Sequence, residues 1–448
     1  MPRSTGSPFA SVAEEIPPSL MRTALAEKLP RPLRWLYPGL HIKRWYVLLL
    51  VGIALLSVGA LILFNLVAPD LVAVVGVGNE TWAGGLAILL GLSLVVMAVR
   101  GLLRSVAKTF LPAEENRLVD VMLQQARGAG PRIVAIGGGT GLAQLLRGLK
   151  VHTEELSAIV TVSDDGGSSG RLRDELGILP PGDVRNCLVA LADSEPLMTK
   201  LFEYRFADEG GELGGHSFGN LLIAALSDIS GDFLQALRDS RRILAIHGQV
   251  LPPTVQRVML CAKLTSGGVA CGETAVTAAH GDIEYAYLDP PAPAATPEAL
   301  EALHQAEVII IGPGSIYTSI IPNLLVPQIT EALTQVRAPR IYVCNVMTQP
   351  GETDDFTALE HVQAILRHVE NRAVFDYVLL NTRRPSDEVL ARYAAEGAKL
   401  VEPDDRAIAR LGMIPVCRDL IAEGSWARHD PVKLAAAVIE VLAEHRAS

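Results

Sequence analysis

Beyond residue 130 the chain repeats one pattern: a run of apolar, β-branched residues that stops abruptly at glycine, asparagine or aspartate. RIVAIGG, SAIVTVSDD, VIIIGPGS, RIYVCNVM and YVLLNT all have it. Runs that are apolar at consecutive positions suit strands covered on both faces, as in a parallel sheet. Helical patterns separate them, at 140–150, 323–336 and 357–369. The predicted fold class is therefore α/β, a Rossmann-like, mostly parallel sheet. Val258 to Asp289 has strand-like pieces broken by Ser-Gly-Gly and His-Gly-Asp. That predicts a small antiparallel β insertion at 258–289, with DPPAPAATP as its exit.

Ahead of this body lies a different kind of sequence. YVLLLVGIALLSVGALILFNLVA, Tyr46 to Ala68, is 23 residues without a charge, and Trp82 to Val99 is 18 more. Each is about long enough for a helix across a hydrocarbon core of about 30 Å. A cleaved signal peptide fits poorly, because the apolar run starts 45 residues in and exceeds the usual apolar length. A buried helical pair is the other alternative. Arg31, Arg34, Lys43 and Arg44 precede the first span, Arg100, Arg104 and Lys108 follow the second, and the loop between has neither Lys nor Arg. The positive-inside rule then puts both termini in the cytoplasm. The expectation is a multi-pass protein of the cell membrane, organised as a cytoplasmic segment 1–45, a transmembrane hairpin 46–99, a linker helix 100–130 and the α/β domain 131–448.

A net charge of -10 gives no footprint for nucleic acid, which asks for clustered Lys and Arg. The five cysteines, Cys187, Cys261, Cys271, Cys344 and Cys417, form no CxxC pair. They read as reduced thiols, and neither a disulfide framework nor a structural zinc site is expected.

The candidate chemistry lies where strands end. Gly137, Gly138, Gly139, Thr140 and Gly141 join an apolar run to a helix, offering unpaired N–H groups and a helix dipole to an anion such as phosphate. The turn lacks the third glycine of a dinucleotide fingerprint and the Gly-Lys-Ser/Thr of a Walker loop. This weakens a nicotinamide-dependent oxidoreductase reading, and a tight structural turn is the alternative. Asp164 and Asp165 close the second run and suit a ribose hydroxyl or a divalent cation that bridges phosphates. Gly166, Gly167 and Ser168 resemble a second anion nest, with Arg171 as counter-charge. In PPGDVRNC, Asp183 reads as a helix N-cap, with Arg185 and Asn186 behind it. Gly312, Pro313, Gly314 and Ser315 repeat the glycine turn after another apolar run. His216, Ser217 and Asn220 fall in GHSFGN, which matches the nucleophile elbow G-x-S-x-G, but no strand precedes it. Ser217 is better read as a helix cap. Asn345, Thr348 and Gln349, with Glu352 behind them, are hydrogen-bonding groups suited to a base or sugar, or to holding one irregular loop. No nucleophile–base–orienter trio emerges.

IGGGTG, SDDGGSSGRLR, PPGDVRNC, GHSFGN, GPGSIYTS, PNLLVP and NVMTQPGET together resemble the bacterial YvcK-type gluconeogenesis factors, relatives of 2-phospho-L-lactate transferase (CofD), over about residues 131–445. The resemblance implies a Rossmann-like cytoplasmic domain that binds a nucleotide sugar of the UDP-N-acetylglucosamine kind, connected with gluconeogenic growth, envelope synthesis and cell shape. It implies a regulator more than an enzyme. The alternative is a CofD-like transferase acting with a nucleotide diphosphate-linked donor and a divalent metal. By resemblance the metal, Mg2+, falls to Asp164 and Asp165, diphosphate contact to Gly137–Gly141 and Gly312–Ser315, and base or sugar contact to Asn186, Asn220 and Asn345. Expected partners are the nucleotide ligand, the membrane and envelope-synthesis proteins, with homo-oligomerisation left open.

Overall fold

The computed structural model describes residues 43–64, 81–110, 130–192, 196–208, 211–246, 248–279, 283–422, 424 and 426–447. The chain divides into two compact units, Met1–Ala126 and Arg127–Ser448.

In the first unit two helices, Lys43–Phe64 and Thr81–Phe110, pack against each other. Glycine lets them approach: a Cβ on Gly52 would lie 3.0 Å from the Gly91 carbonyl oxygen, and one on Gly91 would lie 2.8 Å from that of Gly52. Leu50 and Leu89 stay 66% and 68% exposed on the outside of the pair. The second helix runs through Arg100 to Phe110, where the sequence predicted a linker to begin. The rest of that linker, 111–129, and nearly all of the segment 1–45 lie outside the described residues. Among the described residues no helix is long and apolar enough to cross a membrane. The hairpin expected from the sequence is thus present only as a pair of packed helices, and the membrane crossing expected of it is not borne out.

The second unit is built on a seven-stranded sheet. In chain order its strands are β1 (Ile133–Gly137), β2 (Leu156–Val160), β3 (Gln249–Leu251), β7 (Val308–Ile311), β8 (Arg340–Val343), β9 (Tyr377–Asn381) and β10 (Ile414–Arg418). They lie in the order β10-β9-β8-β7-β1-β2-β3, every pair parallel. β1 explains why the apolar runs are unbroken. Ile133 and Ala135 enter one core while Val134 and Ile136 enter the other, so a strand of period two has no solvent face to make polar. Helices Gly139–Leu149, Gly182–Leu191 and Pro431–Ala447 supply residues to the first core, and Pro297–Gln305, Pro327–Gln335 and Ala358–His368 to the second. Sequence reading missed β3, three residues long, and β10, which Pro415 interrupts.

The insertion is as expected: β4 (Met259–Leu264), β5 (Val269–Cys271) and β6 (Ile283–Asp289) form an antiparallel sheet in the order β5-β4-β6. One expectation about it is corrected. Cys261 and Cys271 face each other across β4 and β5 and are joined in a disulfide. A separation of ten residues along the chain gave no sign that a hairpin would place them side by side. Cys187, Cys344 and Cys417 remain free.

This topology positions the site. From β1 the chain moves outward through β2 and β3, then returns to β7 on the other side of β1 and runs outward again. The connections leaving β1 and β7 therefore diverge, opening a crevice at their carboxyl ends where ligands bind in open α/β sheets.

Candidate ligand site

Two glycine turns meet in that crevice. The first follows β1: Gly138 is extended, and Gly139, at φ +65°, starts a helix. Gly138 has no room for a side chain, because a Cβ there would lie 2.5 Å from Asp183 Oδ2 and 2.8 Å from Thr161 Cγ2. The second follows β7, where Gly312, at φ +82°, leads into Pro313, Gly314 and Ser315. A Cβ on Gly141 would lie 2.7 Å from the Pro313 carbonyl oxygen, so the turns touch backbone to backbone. Asn323, fully buried, joins them from below: its Nδ2 donates to Gly137 O at 3.1 Å and to Ser319 O at 2.8 Å. Asn345 Nδ2 donates to Gly314 O at 2.9 Å.

Above them is a cleft of about 480 Å³. Of the residues singled out in the sequence, Gly138, Gly139, Thr140, Gly141, Pro313, Gly314, Ser315, Asn345 and Thr348 line it. Gln144, Glu273, Gln349, Tyr393, Arg428 and His429 line it as well. Of these, Gln349 is a base or sugar candidate from the sequence; Gln144, Glu273, Tyr393, Arg428 and His429 are not, because they reach the cleft from separate elements whose mutual approach is tertiary. His429 is buried, and burial pushes its pKa down to about 4, so it is a neutral imidazole.

Carboxylates gather beside the turns. Asp183 is not the helix cap expected: the helix begins at Gly182, after Pro181, and Asp183 sits in its first turn. Its carboxylate instead accepts from the Gly139 backbone N–H, so a side chain of the protein already holds one donor of the glycine turn. Burial raises its pKa to about 6 against that hydrogen bond, and the Asp164 charge adds to the rise. Glu273 is raised to about 9, first by burial, then by the charges of Asp164, Asp183, Glu352 and Asp165. Asp165 Oδ1 accepts from Thr274 N and Oγ1 at 2.9 and 3.0 Å, while Asp164 Oδ1 accepts from Gly166 N at 2.8 Å. The two aspartates thus close separate loops.

Glu352, buried, is raised by its burial and opposed by hydrogen bonds from the Ser315 hydroxyl, Thr277, Thr318 and the Tyr317 backbone N–H, and Gln349 is a further donor to it. Thr277 Oγ1, Thr318 Oγ1 and Gln349 Nε2 donate at 3.2, 3.4 and 2.7 Å. Ser315 therefore faces the cleft with its hydroxyl committed to Glu352, leaving backbone amides as the anion donors of this turn.

The remaining candidates form a polar layer away from the cleft lining. Ser168 Oγ lies 3.0 Å from His216 Nδ1 and accepts from Asn220 Nδ2 at 3.1 Å, all three buried. His216 is therefore not a surface residue, and burial lowers its pKa. Ser217 caps the helix Phe218–Ser230, accepting from Asn220 N at 3.3 Å. Arg171 donates to Gly214 O at 2.6 Å and so holds a loop of the chain itself, where the sequence suggested an anion counter-charge. Arg185 donates to Asn186 Oδ1 at 2.7 Å, and its pKa is lowered by burial and by the Arg205 charge.

The family profile of 2-phospho-L-lactate transferase CofD matches residues 133–421, which holds both glycine turns and the carboxylates. The chain belongs to the CofD family. A Nostoc sp. protein named "Putative gluconeogenesis factor" is 45% identical over 94% of each chain. The Bacillus subtilis "Gluconeogenesis factor" is 44% identical over 71% of this chain and 100% of its own. The crystal structure of protein BH3568 from Bacillus halodurans superposes with a TM-score of 0.67 at 45% identity, over 69% of this chain and 99% of that one. Within the CofD family, this chain thus groups with proteins called gluconeogenesis factors.

Proposed function

We propose that this CofD-family protein is a membrane-anchored, non-catalytic factor that binds a nucleotide diphosphate-linked sugar of the UDP-N-acetylglucosamine kind. Through that ligand it serves gluconeogenic growth, envelope synthesis and cell shape. One observation carries the reading: two glycine turns abut at the switch point, with Gly141 against the Pro313 carbonyl, beneath a cleft of about 480 Å³. Two adjacent sets of backbone amides suit two linked phosphates. Asn345, Thr348 and Gln349 supply neutral groups farther along the cleft for a base or sugar.

The carboxylates favour a second reading, a CofD-like transferase that uses a nucleotide diphosphate-linked donor with a divalent metal. Among the described residues no three His, Cys, Asp or Glu side chains form a metal-holding group. In this reading Mg2+ would be held by one or two carboxylates together with ligand phosphates, with the second oxygens of Asp164 and Asp165, whose Oδ1 atoms close loops, as the candidates. Bound there, the ion would neutralise phosphate charge. The protein's part would be to orient the phosphates with the turn amides and to keep Asp183 and Glu273 close by as proton carriers.

The anchor is supported by the helical pair of the first unit, whose outer side is apolar, with Leu50, Leu89 and Leu86 exposed at 66%, 68% and 56%. Exposed leucines on one side of a helical pair suit an interaction site. The uncharged stretches of 23 and 18 residues and the basic residues flanking them suit a bilayer, with the second unit and both termini on the cytoplasmic side. Envelope-synthesis proteins would then be its neighbours.

Thermal denaturation of the full-length protein with UDP-N-acetylglucosamine, GDP and NADH, each with and without magnesium, tests this. At about a hundredfold excess over its dissociation constant the UDP-sugar should stabilise by about 2.7 kcal/mol and be recovered intact. No shift with any UDP-linked compound would refute the reading. A shift only with GDP-linked compounds and magnesium would favour the transferase.

A further inference from the structure

The helix Glu273–Ala278 of the insertion crosses the site as a strap. Near its start Thr274 N and Oγ1 are held by Asp165 Oδ1 in the loop after β2, and near its end Thr277 Oγ1 donates to Glu352 in the loop after β8. Just ahead of the first tie, Glu273 lines the cleft. Upstream the strap hangs on β5, an edge strand of three residues with β4 as its one neighbour. Cys271 ends β5 and is bonded to Cys261 of β4.

One residue separates this disulfide from Glu273, and it has no slack. Gly272 N donates to Leu260 O at 2.7 Å. Its φ of +97° suits glycine, and a Cβ would lie 1.9 Å from Asp165 Oδ2. Displacement of Cys271 is therefore passed directly to Asp165 and Glu273. Cys271 is exposed while Cys261 is 1% exposed, so the pair offers one sulfur to an incoming thiol and shelters the other.

We propose that Cys261–Cys271 is a thiol–disulfide exchange site for dithiols, and that its redox state sets how firmly the strap Gly272–Ala278 is held over the cleft. The effect on ligand rests on the nucleotide-binding reading above. A thiolate of the dithiol attacks Cys271 Sγ; the S–S bond breaks and Cys261 leaves as a thiolate that takes up a proton. The second thiol of the reductant then attacks the mixed disulfide, closing its own disulfide and releasing the Cys271 thiol. Two electrons and two protons pass to the protein, and the dithiol is oxidised. On the cytoplasmic side proposed above, a disulfide is characteristically a redox-responsive one. After reduction β5 keeps three residue pairs with β4, little to hold an exposed edge strand.

The test uses the full-length protein before and after dithiothreitol. Alkylation under denaturing conditions should label three cysteines without reduction and all five after it. On reduction, amides of 269–279 should exchange about tenfold faster, and UDP-N-acetylglucosamine should bind several-fold more weakly. Cys261→Ser should match the reduced protein in both conditions. Five labelled cysteines before reduction, or amide exchange indifferent to dithiothreitol, would overturn the proposal. If exchange responds but neither form binds the UDP-sugar, the exchange site and strap stand and the nucleotide reading fails. If the sugar binds equally well in both forms, the control of ligand is overturned.

Discussion

Gly141 sits inside a helix, where alanine is ordinarily preferred by about 1 kcal/mol. Here the preference reverses, because a Cβ would meet the Pro313 carbonyl at 2.7 Å and its neighbour is backbone, which cannot rotate away. Gly141→Ala should therefore separate the two turns, weakening UDP-sugar binding by about tenfold, about 1.4 kcal/mol. Calorimetric titration showing unchanged affinity would mean that the turns do not act together. Glu273 makes a prediction of a different kind. Its pKa rises from 4.5 in the unfolded chain to about 9 in the fold, first through burial. The folded state thus keeps a proton that the unfolded chain releases, so stability is lost as pH rises between those values. Glu273→Gln removes this contribution and should gain on the order of 1 kcal/mol over the parent at about pH 8, with little gain at about pH 5. Denaturant midpoints at both pH values decide it, and equal gains at both would sink the burial argument.

Among the elements, the join between β1 and β7 matters most. Asn323 serves two carbonyls, Gly137 O at the end of β1 and Ser319 O in the π-helical turn Ile316–Ile320 after β7. Asn323→Leu would take that donor from both carbonyls, leaving Gly137 O with the Thr161 N–H, a loss of about 1 kcal/mol for each hydrogen bond removed. It should lower the melting temperature and the UDP-sugar affinity together; a variant of normal stability and affinity would show that the strands fix the turns unaided. The sequence made the strands and their turns legible because both obey local rules: Val134 and Ile136 need an apolar partner as much as Ile133 and Ala135 do, and Gly138 must be bare. It could not disclose Asn323, whose partners lie 186 residues away and four residues away in an irregular turn. The same holds for Asp183, placed in the helix by its residue type but held by Gly139 through a tertiary contact. Cys261 and Cys271 were misread because pairing depends on strand register, which a ten-residue separation does not reveal.

For the whole molecule the question is what the first unit adds to the second. The Bacillus subtilis relative matches along 100% of its length with 71% of this chain, so a protein of the second unit's size occurs alone. The Nostoc relative matches across 94% of this chain, so its match extends into the first unit as well. The second unit has its own two cores, on opposite faces of one sheet, and both draw on residues after 130 alone. Ligand binding and attachment should therefore separate. Residues 127–448 expressed alone should melt cooperatively and keep the UDP-sugar affinity of the full chain within about twofold, since parts that share no core add with little coupling. They should also leave the membrane pellet for the soluble fraction, while the full chain stays in the pellet through high salt and is released by detergent, as apolar rather than ionic attachment requires. A full chain washed off by salt would assign the attachment to charge. A full chain that is soluble without detergent would leave the apolar outer side of the helical pair to a protein partner, and the same truncation would then measure that partner's loss.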